Sequence, residues 1–113
     1  MEQTLTCAAL SSLVADRADV TLLDVRRRAA FDADPRIIPG AVWKDPEQVT
    51  NWAGGLNRDR SIVVYCVHGH EVSHGAVDRL RALGFQAALL EGGIEAWKAS
   101  GGPVTHSSGG VRS

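Results

Sequence analysis

Residues 61–84 read SIVVYCVHGHEVSHGAVDRLRALG. After Ser61, the four residues Ile62 to Tyr65 form an apolar run rich in β-branched side chains, the pattern of a central parallel strand covered on both faces. The run ends on Cys66. A polar, glycine-containing loop follows. From Ser73 to Leu83 the apolar residues Ala76, Val77, Leu80 and Leu83 recur at helical spacing, and Gly84 is a suitable stop. The spacing predicts a strand, a loop from Cys66 to Val72 and a helix beginning at Ser73. A cysteine therefore stands at a strand tip directly in front of a helix.

Outward from this unit, strands and helices alternate. Thr6 is a candidate N-cap for a helix with Leu10, Leu13 and Val14 on one face. Residues 20–25, VTLLDV, read as a short buried strand. RRRAAFDA suits a brief helix ended by Pro35, and IPGAVW (38–43) is a turn leading into a strand. Asp45, Pro46 and Gln48 make a helix start that Gly54 and Gly55 stop. AALL (87–90) is a further strand, followed by a turn and a helix carrying Ile94 and Trp97. This alternation predicts an α/β class with a mainly parallel sheet. Residues 1–104 are expected to form one domain and residues 105–113 a flexible C-terminal tail.

At 113 residues there is room for one domain and not two. The formal net charge of −1 gives no electrostatic case for nucleic acid or an anionic membrane. The run Arg26-Arg27-Arg28 is offset by Asp24, Asp32 and Asp34 and reads as a solvated helix start. Two cysteines, Cys7 and Cys66, are far apart and match neither a disulfide framework nor Cys-x-x-Cys knuckles. With no apolar stretch near 18 residues and no leader pattern, a cytoplasmic, reducing setting is expected.

In open parallel sheets, ligands sit beyond the carboxyl ends of the strands, where Cys66 lies. A loop closing on a helix start turns backbone N–H groups inward. Together with the helix dipole, these favour an anion and a thiolate. A nucleophilic sulfur in an anion cup suits two chemistries: accepting sulfane sulfur as a persulfide, or attacking phosphate or arsenate. The plain alternative is a buried cysteine that only packs.

His68, His70 and His74 lie beside Cys66, and such a set would accept zinc. Loop side chains around an inward-facing cradle point outward, so no metal site is expected and the histidines read as surface or rim groups. Cys7 reads as a packing residue. Asp24 and Arg26 read as a structural ion pair, and Trp43, Trp52 and Trp97 as core or rim fillers. Glu91, Gly92 and Gly93 border the same sheet end.

LLDVR (22–26), IPGAV (38–42), VVYCVHGHEVS (63–73), LRALGF (80–85) and LEGGIEAWKASGGPV (90–104) together resemble a single-domain rhodanese, a thiosulfate sulfurtransferase-like module. The resemblance spans residues 5–104. It implies a central five-stranded, mainly parallel sheet flanked by helices. It also implies a catalytic Cys66 that carries a persulfide, within a substrate cradle made by Val67, His68, Gly69, His70, Glu71 and Val72. The implied activity moves sulfane sulfur from thiosulfate, a persulfide or another small anionic donor to cyanide, a thiol or a sulfur-acceptor protein; the alternative within this resemblance is a sulfur-carrier or sensor module that acts with a protein partner. No organic cofactor or metal is implied.

Three positions depart from the family pattern. The loop is one residue longer than the common Cys-x-x-Gly-x-Arg-Ser. Glu71 stands where an arginine is common, and a carboxylate there opposes an anionic donor. Asp34-Pro35-Arg36-Ile37 replaces a Gly-His-Ile pattern. A loop of this length also resembles phosphatases and arsenate reductases with Cys-x5-Arg, but Val72 occupies the arginine position.

Overall fold

A computed structural model describes residues 4–16, 20–68 and 71–106. In chain order the elements are β1 (Thr4–Leu5), α1 (Cys7–Ala15), β2 (Val20–Asp24), α2 (Arg28–Ala33), β3 (Arg36–Ile37) and β4 (Val42–Trp43). A 3-10 turn (Pro46–Gln48) leads into α3 (Val49–Ala53). Then come β5 (Ser61–Tyr65), α4 (Glu71–Ala82), β6 (Ala87–Leu90), α5 (Gly93–Ala99) and β7 (Thr105–His106).

Five strands form one parallel sheet in the order β1-β6-β5-β2-β4. The most apolar strand, β5, is at its centre, with Val64 beside Leu23 on β2 and Leu89 on β6. Side chains alternate across a strand, so the sheet divides the core into two halves. Leu23, Val25, Ile62, Val64, Cys66, Ala87 and Leu89 meet Val49 and Ala53 of α3 and Ala76, Val77 and Leu80 of α4. Leu22, Val63, Tyr65 and Leu90 face the other way, onto Leu10 of α1, Phe31 of α2 and Ile94 and Trp97 of α5.

Most expected elements form, with differences at their ends. Thr6 caps α1 by accepting from the Ala9 N–H at 3.1 Å. Of its three apolar face residues only Leu10 is fully buried. Leu13 is half-buried and Val14 is exposed, because α1 covers one end of the sheet and leaves a groove beside Pro39 and Gly40. Asp45 caps a 3-10 turn rather than an α-turn, accepting from the Glu47 N–H at 2.9 Å.

The helix after Cys66 begins at Glu71, not at Ser73. Val72 packs against the same apolar cluster as Val77 and Leu80, which carries the helical stripe back one turn. The ordered body also runs past residue 104. Thr105–His106 pair antiparallel with β3, so these two residues of the expected tail are a strand, and residues 107–113 lie outside the described residues.

Candidate active site

Register places the site. Asp24 of β2 lies beside Tyr65 of β5, and the Val25 N–H donates to the Tyr65 carbonyl at 2.8 Å. One residue beyond, Cys66 leaves the sheet. Its side chain is 6 % exposed and turns to the α3/α4 side. Its Sγ lies 3.1 Å from the Oγ of Ser73, itself fully buried in the first turn of α4. With the sulfur ionised, the hydroxyl donates to it, and a hydrogen bond to a charged acceptor is among the stronger kinds.

The loop is held from the opposite side by α5. The Ile94 N–H donates to the Cys66 carbonyl at 3.0 Å, and the Glu95 N–H donates to the Val67 carbonyl at 3.1 Å. Among the described residues every peptide is trans. A trans peptide points its N–H opposite its C=O. The N–H groups of Val67 and His68 therefore point away from α5. Gly93 makes this approach possible: a Cβ there would stand 2.5 Å from the Cys66 carbonyl oxygen and 2.4 Å from that of Val67. Its φ of +65° is also left-handed, a conformation that costs other residues free energy.

Beneath the rim lies a buried polar network. Arg26 meets Asp24 through Nη2–Oδ2 at 2.7 Å and Nε–Oδ2 at 3.0 Å, with the pair 3 % and 0 % exposed. Its other donors bind the carbonyls of Asp34 and Arg36, each at 2.8 Å. The Trp43 Nε1–H closes the loop on the Arg26 carbonyl, and the Tyr65 hydroxyl accepts from the Ile38 N–H. Burial, then the charge of Asp24, push the Tyr65 hydroxyl far above its ordinary range. Asp34-Pro35-Arg36-Ile37, the segment that departs from the resemblance, thus serves as a strap around buried Arg26.

Val67 is half-buried and His68 exposed, both in the turn after Cys66. Val72 is half-buried in the first turn of α4. Gly69 and His70 lie outside the described residues, as does the Glu71 side chain. His74 is exposed on α4. Among the described residues, no three His, Cys, Asp or Glu side chains converge as metal ligands.

Cys7 is half-buried with its Sγ 3.8 Å from the Glu91 carbonyl, and burial pushes its thiol up. It packs with the α1/α2/α5 half of the core, so the sheet separates it from Cys66. Trp43 stacks on Phe31, and the Nε1–H groups of Trp52 and Trp97 donate to the carbonyls of Asp45 and Pro103. All three tryptophans fill structural positions.

A family model for the rhodanese-like domain matches residues 6–100. The chain belongs to the rhodanese-like domain family. Solved structures agree. A rhodanese-like domain from Anabaena is 34% identical, with 95% of this chain and 81% of that one covered and a TM-score of 0.81. A rhodanese-related protein from Thermoplasma volcanium is 28% identical over 92% of this chain and 98% of that one, with a TM-score of 0.79. A Rhodopseudomonas palustris protein described as a possible tyrosine phosphatase is 27% identical, with 91% and 84% covered and a TM-score of 0.79. A search of curated proteins found no match.

In this rhodanese-like domain, sequence reasoning missed the contact between Cys66 and Ser73. Ser73 is not the start of the helix: it sits within the first turn and turns its hydroxyl inward. The signal was present in Val72, whose spacing to Ala76 and Leu80 already fits a helix that starts earlier. No helix among the described residues is long and apolar enough to cross a membrane.

Proposed function

We propose that this rhodanese-like domain is a sulfurtransferase working through a Cys66 persulfide. The observation that carries the reading is the placement of Cys66 at the carboxyl end of the central strand, 3.1 Å from the Ser73 hydroxyl and in front of α4. The Cys66 thiolate attacks the outer sulfur of thiosulfate. The S–S bond of the donor breaks, sulfite leaves with the electron pair, and Cys66 retains the sulfane sulfur. Cyanide, a thiol or an acceptor protein then takes that sulfur and restores the thiolate. Two half-reactions through a covalent intermediate give ping-pong kinetics. Val67, His68, Gly69, His70, Glu71 and Val72 form the donor cradle by this reading. Neither a metal nor an organic cofactor enters it, and two free thiols suit a reducing, cytoplasmic setting.

Intact-mass measurement after thiosulfate treatment tests the proposal. One reductant-labile sulfur atom is expected on wild type and on Cys7→Ala, and none on Cys66→Ala. Loading of Cys66→Ala would overturn the assignment.

A second reading, an oxyanion phosphatase, is favoured by the similarity to the Rhodopseudomonas palustris protein. Val72 opposes it, because an apolar side chain packed on the core supplies no forked charge to a transferring phosphoryl group. Aryl-phosphate hydrolysis that depends on Cys66 would restore that reading.

A further inference from the structure

A pocket of about 220 Å³ opens on the α3/α4 side, lined by Arg27, Glu47, Val49, Val72, Ala76 and Arg79 among others. Val72, Ala76 and Arg79 lie at i, i+4 and i+7 on α4, so one helical stripe forms a wall. That wall starts in the turn holding Ser73, the residue in contact with the Cys66 sulfur. Val49, Val72 and Ala76 also belong to the apolar cluster that includes Cys66. Arg27 comes from the chain just beyond the carboxyl end of β2, the end at which Cys66 leaves β5.

We infer that Arg27 and Arg79 determine donor specificity by binding a carboxylate on an organic persulfide while its sulfane sulfur reaches Cys66. The inference rests on the sulfurtransferase reading. Arg79 is seven residues beyond Val72, a rise of about 10 Å along the helix. Helical side chains lean toward the N-terminus, so its guanidinium reaches back toward the cradle. A donor that meets both Cys66 and Arg79 carries its acid group several bonds from the sulfane sulfur. Thiosulfate carries its charge on the outer sulfur itself and on oxygens two bonds away, too close to that sulfur to reach from Cys66 to Arg79. Among the described lining residues, two arginines and Glu47 sum to +1, which suits one carboxylate better than a polyanion. The apolar floor of Val49, Val72 and Ala76 takes the carbon chain between sulfur and acid.

The transfer balances without a further reagent. Cys66–S⁻ attacks the outer sulfur of R–S–SH, the donor S–S bond breaks, and Cys66–S–SH and R–S⁻ form.

The test compares three donors: the persulfide of N-acetyl-cysteinylglycine, the same compound as its C-terminal amide, and thiosulfate. The readout is kcat/KM for Cys66 loading by wild type, Arg27→Gln, Arg79→Gln and the double variant. The acid is expected to load wild type about 10-fold more efficiently than the amide, with the double variant abolishing that preference. Thiosulfate loading should change less than about 2-fold in every variant. Equal rates with acid and amide on wild type, or a preference that survives in the double variant, overturns the inference. Calorimetry of the N-acetyl-cysteinylglycine thiol against Cys66→Ser protein separates the two levels. Arginine-dependent binding without loading of wild type by any donor refutes the sulfurtransferase reading and supports the pocket. Loading that shows neither carboxylate preference nor arginine-dependent binding refutes the pocket alone.

Discussion

Replacing Gly93 by alanine tests whether α5 sets the loop that follows Cys66. Two costs arise. An L-residue at φ +65° loses about 1–2 kcal/mol. The added Cβ would stand 2.4–2.6 Å from the Cys66 and Val67 backbone, so the loop or the helix must move. Movement breaks the hydrogen bonds from Ile94 to Cys66 and from Glu95 to Val67, each worth about 0.5–1.5 kcal/mol. The sum is about 2–5 kcal/mol, or a fall in Tm of roughly 10–20 °C for a domain of this size. Gly101 is the control. It has φ +86° with open space around its missing Cβ, so Gly101→Ala carries only the backbone cost of about 1–2 kcal/mol.

Urea denaturation measures both stabilities, and intact-mass kinetics measure persulfide loading. Gly93→Ala is expected to slow loading at least about 10-fold at a temperature where it remains folded, because the Val67 and His68 amides lose their direction. Gly101→Ala should load at the wild-type rate. If Gly93→Ala lost stability but loaded as fast as Gly101→Ala, the carbonyl anchors would not be what orients the loop.

Ser73→Ala should slow thiosulfate loading about 10-fold, as expected from losing one hydrogen bond to a charged sulfur, with little change in Tm; an unchanged initial rate would remove the hydroxyl from the mechanism. Asp24→Ala strands the Arg26 charge in the core and should cost about 3–5 kcal/mol in urea unfolding, far more than substitution of an exposed acid such as Asp32. Hydrogen bonds from Arg36, and then Lys98, hold the Asp34 carboxyl well below the usual carboxylate range. Its folded value lies under its unfolded one, so its contribution is present above about pH 4 and declines as pH falls further. Asp34→Asn should therefore flatten the acid limb of a stability–pH curve and leave its neutral-to-alkaline limb unchanged; an unaltered acid limb would refute that role.

The sequence showed most clearly those elements whose partners lie close in the chain. β5 and α4 each carry a complete apolar pattern, and α5 shows Ile94 and Trp97 on one face. The two-residue strands β1, β3 and β7 carry no such pattern. They are strands because Leu89, Leu90, Thr105 and Ile37 meet them from far along the chain. The pairing of Asp24 with Arg26 was legible from their positions at a strand end, but not that the arginine also binds two carbonyls of the next loop. Gly92 and Gly93 were visible as a motif. Their physical reason was not, because a close approach between backbones leaves no trace in side-chain periodicity. Cys66 was legible from strand and helix signals on either side, whereas its contact with Ser73 depended on where the helix begins.

On the sulfurtransferase reading, the sheet between the two cysteines makes this domain a one-thiol device. A persulfide formed on Cys66 would have no second sulfhydryl of this domain to collapse onto, since Cys7 lies behind the β-layer. Discharge is then an intermolecular event. The lifetime of the loaded state should scale inversely with the concentration of nucleophiles outside the protein, and the loaded form should persist when those are dilute.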